Sequence, residues 1–466
     1  MKTQEIPIIK SNKVKSFNPP DLGRISNDLE ETDEVNERSS FKELRVGRSK
    51  SEPLRDSGVY ARSRRKSNMK RGPFKAWRRK RKIILSKRAT FWGRHPIMTV
   101  LVALWLLLTP VWWSMGTALT NPALGTTLPA RLAEWVRDHG GKSVVVWAEN
   151  TWYMHHAPPV GGKPPKGSIP PPITTKSTTA PSIAYLPEPA AMVPFESNPV
   201  PGEGQWHPAG RLVNGIPAIY EAFMAPDAIH TSLVAGVAWM DTKLLKATLY
   251  SGSYIPGYGP WQNSAPISPS ASTSLVAAFN AGFRMQDARG GYYNEGREVI
   301  PLKNGIASFV IYSDGSVNIG TWGSDVTMTP NVVSVRQNLV LLVNNGQPSP
   351  NLNSNDTSVW GYTLGGKAYV WRSGIGITSN GALVYAGGPG LTITSLANLL
   401  IRAGAVRAME LDINTGWVNF ATFAPSTPNG QATAANGTEL LSSMPNGPQR
   451  YFDPSWSRDF FTMSSR

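Results

Sequence analysis

The sequence predicts an α+β fold, namely a β-rich mixed sheet domain with few helices, preceded by a single transmembrane helix. From about residue 183 onward, short apolar or alternating segments are separated by Gly, Pro, Asn and Asp, a pattern typical of many short strands. Residues 392–403 instead have the apolar spacing of a helix, and an acidic strand follows them. Upstream, residues 96–119 carry no charge and are long enough to cross a bilayer.

The basic residues are concentrated in the first 94 positions. The 466 residues have a net charge of +16, and residues 1–94 hold 26 of the 47 Lys and Arg but only 11 of the 31 Asp and Glu. We predict that residues 1–94 form a disordered basic cytoplasmic tail, because Lys and Arg next to a membrane helix favour the cytoplasmic side. The tail is expected to contact anionic lipids. Nucleic acid is a less favoured partner, since the basic run directly precedes the apolar stretch.

Four further segments are predicted. The transmembrane helix occupies residues 95–120, and Pro110 is expected to kink it. Residues 121–156 form a partly helical juxtamembrane segment. Residues 157–182, rich in Pro, Gly, Ser and Thr, form a linker that acts as a spacer. Residues 183–466 then form the extracytoplasmic domain of a single-pass protein of the cell membrane.

Within this domain, local signals predict particular elements. Asp314-Gly315 and Asn380-Gly381 predict tight hairpins. Thr392 or Thr394 is expected to cap the helix, and Gly404 to end it.

The composition excludes several kinds of site. The chain has no Cys, which excludes disulfides, thiolate metal sites and a Cys nucleophile. All six His lie at or before His230. A Ser-His-Asp triad or a His-rich zinc site in residues 231–466 would therefore need a His from upstream.

Two carboxylates stand at the end of the acidic strand in "AMELDINTGW". On a strand, Glu410 and Asp412 would share one face, and their mutual repulsion would raise one pKa. Such a pair suits general acid and base chemistry or a metal. The alternative is an edge strand whose acids face water.

A second candidate stretch is "AAFNAGFRM", followed by "RGGYYNEGR". Asn280 offers a donor and an acceptor at a strand end, and Gly282 permits close approach of a ligand. Arg284 and Tyr292 lie nearby in the sequence. The alternative is an ordinary turn, since Asn and Gly are common turn residues.

A third is "VWRSGIGITSNG", in which Arg372 lies among apolar residues. A buried arginine needs a partner, and an anionic ligand such as phosphate would fit its donors. An internal salt bridge to Glu410 or Asp412 explains the pattern equally well.

Together these stretches resemble the phosphodiester glycosidase family, over about residues 225–423. The resemblance is carried by "AAFNAGFRM", "WRSGIGITSNGALVYA" and "GLTITSLANLLIRAGAVRAMELD". The positions that match the family pattern are Asn280, Gly282, Phe283, Arg372, Gly376, Thr378, Gly381, Thr392 and Asp412. Family members follow Leu-Asp with Gly-Gly-Gly-Ser-Ser, whereas this chain continues with Ile-Asn-Thr-Gly-Trp, which supplies Asn414 and Trp417. This departure is similar to a membrane-anchored actinobacterial branch of the family.

The resemblance implies a membrane-anchored glycosidase that hydrolyses sugar 1-phosphodiester bonds, with cell-wall or exopolysaccharide polymers as substrates. The predicted catalytic residues are Asp412 and Glu410, acting as base or nucleophile. The predicted substrate-binding residues are Asn280, Gly282, Arg284, Tyr292, Arg372, Thr378, Asn414 and Trp417. In this scheme Arg372 holds the phosphate, and Trp417 or Tyr292 stacks on the sugar.

Two other classes of function remain open at this point. The same fold could be a non-catalytic domain that binds a cell-wall glycopolymer, which the missing glycine-rich element favours. Alternatively, the function could lie in the cytoplasmic tail, with the outer domain as a sensor. No cofactor is predicted. Neighbouring acids and asparagines would permit Ca²⁺, but the sequence has no loop with regularly spaced oxygen ligands.

Overall fold

The structure is a computed structural model that describes residues 77–78, 95–172, 184–353, 359–360 and 369–466. The chain divides into two units, Met1–Arg88 and Ala89–Arg466. Nearly all of the predicted cytoplasmic tail, and residues 173–182 of the predicted linker, lie outside the described residues.

The second unit begins with four helices. Their bounds are α1 Pro96–Leu107, α2 Thr109–Thr120, α3 Leu128–Val136 and α4 Lys142–His155. A short 3₁₀ turn, Pro122–Leu124, precedes α3, and a wide helical turn, Arg137–Gly141, joins α3 to α4. Residues 121–156, predicted to be a partly helical juxtamembrane segment, thus contain α3 and α4, and their place beside a membrane stays a prediction.

The apolar stretch is not one continuous helix. Helices α1 and α2 are bent by 53° at the break between them. Pro110 lies in the first turn of α2 and lacks the N–H that would continue the hydrogen-bond ladder of α1. Among the described residues, no single helix is long and apolar enough to cross a membrane, but α1 and α2 meet that requirement as a pair. The transmembrane segment stays a prediction, and the bend between α1 and α2 lies beside Pro110, which was expected to kink the helix.

The described part of the predicted linker contacts the domain surface. The N–H of Gly161 donates to the carbonyl of Ile229 at 2.7 Å, and Thr231 Oγ1 donates to the carbonyl of Gly162 at 2.8 Å. This part of the segment is therefore packed against the domain, and its role as a spacer stays a prediction.

The part of the domain that the structure describes contains eighteen strands. Their bounds are β1 His207–Val213, β2 Ile216–Met224, β3 Ala235–Met240, β4 Leu245–Tyr250, β5 Leu275–Asn280, β6 Tyr292–Asn294, β7 Arg297–Ile300, β8 Ala307–Tyr312, β9 Val317–Thr321, β10 Val332–Gln337, β11 Leu341–Asn344, β12 Gln347–Pro348, β13 Val370–Thr378, β14 Leu383–Leu391, β15 Ala405–Glu410, β16 Phe420–Phe423, β17 Gly437–Glu439 and β18 Phe460–Ser465. The helices of the domain are α5 Pro269–Ser272, α6 Met285–Ala288 and α7 Ile393–Arg402.

The strands form three sheets. The largest has the order β1-β2-β3-β14-β13-β15-β11-β12, and the two five-stranded sheets have the orders β7-β6-β10-β8-β9 and β17-β16-β5-β18-β4. The β-rich fold with few helices is therefore confirmed.

The prediction of a mixed sheet was wrong, because the pairings between these described strands are antiparallel. The crossover through α7 would make β14 and β15 parallel neighbours if they paired. Instead β13 lies between them and pairs antiparallel with both.

The locally signalled elements form as predicted. Asp314-Gly315 turns β8 into β9, and Asn380-Gly381 turns β13 into β14. Thr392 caps α7 by accepting from the N–H of Ser395 at 3.0 Å, and Gly404, with a φ of +92°, follows its end.

One core is shared by the three sheets. Phe309 of the β8 strand contacts Phe461 of β18 with ring centroids 4.4 Å apart, and Tyr385 of β14 contacts Phe420 of β16 at 5.0 Å. Helix α7 covers the other face of the eight-stranded sheet with Leu396 and Leu400, both fully buried. The core fixes the ends of β5, β15 and β18 close to one another, and the candidate site lies there.

Candidate functional site

Asp412 is held in a fixed position just beyond the end of β15. The chain keeps following β13 after Glu410, since the N–H of Ser373 donates to the Asp412 carbonyl at 2.9 Å. The Asp412 carboxylate is 2% exposed. Its Oδ2 accepts from Arg458 Nη2 at 2.9 Å, and its Oδ1 accepts from the N–H of Asn414 at 2.9 Å. A charge-assisted bond to each oxygen fixes the orientation of this carboxylate.

Arg458 reaches Asp412 because β18 begins beside the end of β5. Phe460 pairs with Asn280, and the N–H of Ala281 donates to the carbonyl of Asp459 at 3.3 Å. Arg458 Nη2 also donates to the carbonyl of Gly282 at 2.9 Å. Arg458 was not among the residues predicted from the sequence, although an Arg-Asp pair directly before an apolar strand was a visible signal.

Asn280 connects three strands. Its Nδ2 donates to Ser373 Oγ at 3.1 Å, and its Oδ1 accepts from the Tyr385 hydroxyl at 3.0 Å and from the N–H of Asn419 at 3.1 Å. Ser373 Oγ in turn accepts from the N–H of Asp412 at 3.2 Å. Asn280 therefore helps to position Asp412 through Ser373, and it does not line the cavity described below.

Arg372 and Glu410 form a buried ion pair. Arg372 Nη1 lies 2.6 Å from Glu410 Oε1, and Arg372 Nε donates to the carbonyl of Leu391 at 3.0 Å. Both side chains are 0% exposed, and neither lines the cavity. Of the two interpretations of Arg372, the geometry shows the internal salt bridge. The same geometry gives the two acids of "AMELDINTGW" different partners, because Glu410 pairs with Arg372 and Asp412 pairs with Arg458.

Burial raises the pKa values of both acids. The pKa of Asp412 is raised to about 6, although the neighbouring Arg458 acts to lower it. The pKa of Glu410 is raised to about 7, again by burial and against the effect of Arg372. A carboxylate with a pKa near the working pH can exchange protons during a reaction.

A cavity of about 260 Å³ opens beside Asp412. The domain contributes Phe283, Arg284, Asp287, Val370, Asp412, Ile413, Asn414, Thr415, Trp417 and Arg458 to its wall. The segment before the domain contributes Leu124, Ala130, Ala133, Glu134, Arg137 and Glu149.

Arg458 and Trp417 form one side of the cavity together. The Arg458 guanidinium lies 4.7 Å from the Trp417 ring centroid, and Trp456 packs edge-on against Trp417. Arg458 Nε is buried without a hydrogen-bond partner among the residues that the structure describes. This wall thus combines the Asp412 carboxylate, the Trp417 ring and the Arg458 guanidinium, whose Nε–H is available to a ligand.

Arg284 faces carboxylates from two parts of the chain. Its Nη2 lies 2.7 Å from Glu134 Oε2 in α3, its Nη1 lies 3.4 Å from Asp138 Oδ2, and its Nε lies 3.0 Å from Asp287 Oδ2. Arg137, at the start of the turn between α3 and α4, makes ion pairs with Glu134 of α3 and Glu149 of α4. These contacts hold the N-terminal helices against the mouth of the cavity.

Three other predicted binding residues lie outside this wall. The Tyr292 hydroxyl is hydrogen-bonded to Ser251 at 2.9 Å in the core, so its ring cannot stack on a ligand without rearrangement. Thr378 stabilises the β13–β14 turn by accepting from the N–H of Ala382 at 2.9 Å. Gly282 packs against Asn338, where a Cβ would lie 2.9 Å from the amide. Of the predicted set, the cavity brings together Arg284, Asp412, Asn414 and Trp417.

A metal site is not evident in the part of the chain that the structure describes. No three His, Cys, Asp or Glu side chains there are grouped so that they could hold a metal ion. The absence of a cofactor stays a prediction.

The cavity wall combines a fixed carboxylate, arginines and an aromatic ring. Residues 273–412 match the model of the phosphodiester glycosidase family. The resemblance seen in the sequence is therefore confirmed for this stretch, which runs from the start of β5 to Asp412. No curated protein matches the chain.

Two solved structures are similar at low identity. The catalytic domain of zebrafish N-acetylglucosamine-1-phosphodiester alpha-N-acetylglucosaminidase is 14% identical, and the match covers 56% of this chain and 88% of that one with a TM-score of 0.34. A hypothetical protein from Synechocystis is 10% identical, and the match covers 56% of this chain and 64% of that one with a TM-score of 0.30.

Proposed function

We propose that the chain is a hydrolase that cleaves the bond between an anomeric carbon and phosphate in a sugar 1-phosphodiester. The observation that carries this proposal is the placement of Asp412, a buried carboxylate with both oxygens oriented, at the wall of a cavity that also presents Arg458 and Trp417. The family match over residues 273–412 supports it.

In this proposal, Asp412 acts on the anomeric carbon as nucleophile or as the base for an attacking water. It therefore has to be ionised, and Arg458 favours that form. The departing phosphate is a weak base and needs less help from an acid than an alcohol does. A second carboxylate is consequently less necessary. Glu410, which lies outside the cavity in an ion pair, is assigned a structural role.

The phosphate would be bound by Arg284 and Arg458. Arg284 takes over the role predicted for Arg372, because Arg284 lines the cavity and Arg372 does not. Phosphate would compete with Glu134 and Asp287 for the Arg284 guanidinium. Trp417 offers the flat apolar surface on which a sugar ring can stack.

We further propose that α1 and α2 lie in a membrane, with residues 1–94 in the cytoplasm and the domain outside the cell. The support is the surface of these helices, where Ile97, Leu107 and Trp113 are each at least 75% exposed. Apolar side chains so exposed are typical of a membrane contact. The basic residues before α1 favour the orientation.

The pH dependence of sugar release follows from Asp412. Since its pKa is raised to about 6 and the ionised form is active, we expect kcat/KM to fall tenfold for each pH unit below 6. Arg458→Met removes the neighbouring cation and should move this acid limb to higher pH. A pH profile of both proteins measures the shift. If Glu410→Gln abolished the acid limb, the limb would belong to Glu410 and the assignment would be wrong.

Substitution of Arg284 tests the phosphate site. Arg284→Met is expected to raise KM about 10–100-fold with a smaller effect on kcat, because a hydrogen bond to a charged group contributes about 1.5–3 kcal/mol. Steady-state kinetics of sugar release measures both constants. Arg297→Met is a matched control, since Arg297 also has a carboxylate neighbour but lies outside the cavity wall. An unchanged KM in Arg284→Met would remove Arg284 from the site.

A further inference from the structure

The cavity beside Asp412 is closed on one side by the segment that directly follows the apolar helices. Leu124, Ala130 and Ala133 contribute apolar wall, and Glu134 holds Arg284 across the mouth. Only a few residues of chain therefore separate α2 from the site of the proposed chemistry.

Hydrogen bonds fix this connection. Arg131 Nη1 in α3 donates to the carbonyl of Leu119 in α2 at 2.8 Å, and Trp135 Nε1 donates to Ser114 Oγ at 3.0 Å. Between the helices, Thr126 packs against Gly416, where a Cβ would lie 2.7 Å from Thr126 Oγ1. Gly416 belongs to the loop that carries Asn414 and Trp417. The C-terminal half of α2, helix α3 and the cavity thus form one continuous packed unit.

This arrangement determines where the cavity would lie relative to a bilayer. Helix α3 packs along the C-terminal half of α2 through Arg131 and Trp135, and its Ala130, Ala133 and Glu134 line the cavity. If the exposed apolar residues of α1 and α2 are in lipid, the cavity therefore lies close to the bilayer, beside the end of α2. A hydrocarbon chain leaving the cavity past Leu124 would reach the bilayer along α2. Binding of a long soluble polymer would not require the cavity to lie close to the bilayer.

We propose that the substrate is a lipid-linked sugar phosphodiester whose hydrocarbon chain stays in the bilayer. The sugar would lie beside Asp412 and Trp417, the phosphate beside Arg284 and Arg458, and the lipid against α2. This inference rests on the proposed hydrolysis. In that reaction, the oxygen of water bonds to the anomeric carbon and the carbon–oxygen bond to phosphate breaks. The phosphate leaves with the electron pair as a lipid monophosphate, and no oxidant or reductant is needed.

The test uses the full chain in phospholipid–detergent micelles and two esters of N-acetylglucosamine 1-phosphate, one with a long prenyl alcohol and one with methanol. We expect kcat/KM to be at least ~100-fold higher for the prenyl ester, because many methylene groups contact apolar surface only in that substrate. Equal values for the two esters would overturn the inference and leave the proposed hydrolysis intact. Faster release from a cell-wall polymer than from the prenyl ester would also overturn it. Hydrolysis of none of these would overturn both proposals.

The variant Arg131→Met distinguishes two causes of a preference for the prenyl ester: guidance of the lipid by α2, and simple partitioning of the ester into micelles. Arg131 lies outside the cavity wall, and its loss should loosen α2 from α3 while the methyl ester is hydrolysed at the same rate. The preference for the prenyl ester should fall at least ~5-fold, with two hydrogen bonds of Arg131 lost. A preference that stays unchanged in this variant would show that α2 does not guide the lipid.

Discussion

Asp412→Asn is expected to reduce sugar release by at least about 10²–10⁴-fold, the range associated with loss of a positioned general base. The amide keeps the shape of the carboxylate and can still accept from the N–H of Asn414, so the surrounding structure should persist. It cannot act as a base or carry the negative charge. Steady-state release of the sugar measures the loss, and circular dichroism checks the fold.

Asp459→Asn is the matched control for this variant. Asp459 is a buried acid in an ion pair with Arg336 at 2.6 Å, so its neutralisation should cost similar stability. It does not line the cavity, and activity should be retained at temperatures where the variant is folded. Equal losses of activity in the two variants would mean that Asp412 acts only through stability.

The second large effect is on stability, at Glu410. Glu410→Gln leaves the buried charge of Arg372 without its carboxylate, and breaking such a pair costs about 3–5 kcal/mol. We therefore expect a clearly lower midpoint of thermal unfolding at pH 8, above the Glu410 pKa of about 7, with kcat changed only slightly. Thermal unfolding and kinetics on the same preparation separate the two roles.

The double variant Arg372→Met with Glu410→Leu completes this experiment. Apolar replacement of both partners removes the unpaired charge, and such replacements are often close to neutral in stability. The double variant should therefore be more stable than Glu410→Gln alone. If Glu410→Gln kept its stability but lost activity by ~10³-fold, Glu410 would be a catalytic residue after all.

The parts of the fold that local chemistry determines could be predicted from the sequence. Asp314-Gly315 and Asn380-Gly381 gave the hairpin turns, and Thr392 gave the start of α7, because in each case the determining atoms lie within a few residues. The sheet type was not predicted correctly. Whether β14 and β15 pair or lie on either side of β13 depends on packing over the whole domain.

In the candidate site too, residues fixed by local sequence could be predicted and long-range contacts could not. Asp412 was found because its strand and turn are adjacent in sequence, but its partner Arg458 is 46 positions away. Arg458 directly precedes an apolar strand and Arg372 lies within one, but neither pattern says which acid each arginine pairs with. The contact of Arg284 with Asp138 spans 146 positions and joins two segments that the sequence assigned to separate regions.

The most direct test of the central claim is to let the full chain hydrolyse an N-acetylglucosamine 1-phosphodiester in ¹⁸O-labelled water and locate the label by mass spectrometry. Attack at the anomeric carbon, as proposed for the Asp412 cavity, places the ¹⁸O in the released sugar and leaves the phosphate unlabelled. Label in the phosphate would show attack at phosphorus and contradict the account. Absence of sugar release, with the folded chain still binding the phosphodiester, would instead favour the non-catalytic binding domain.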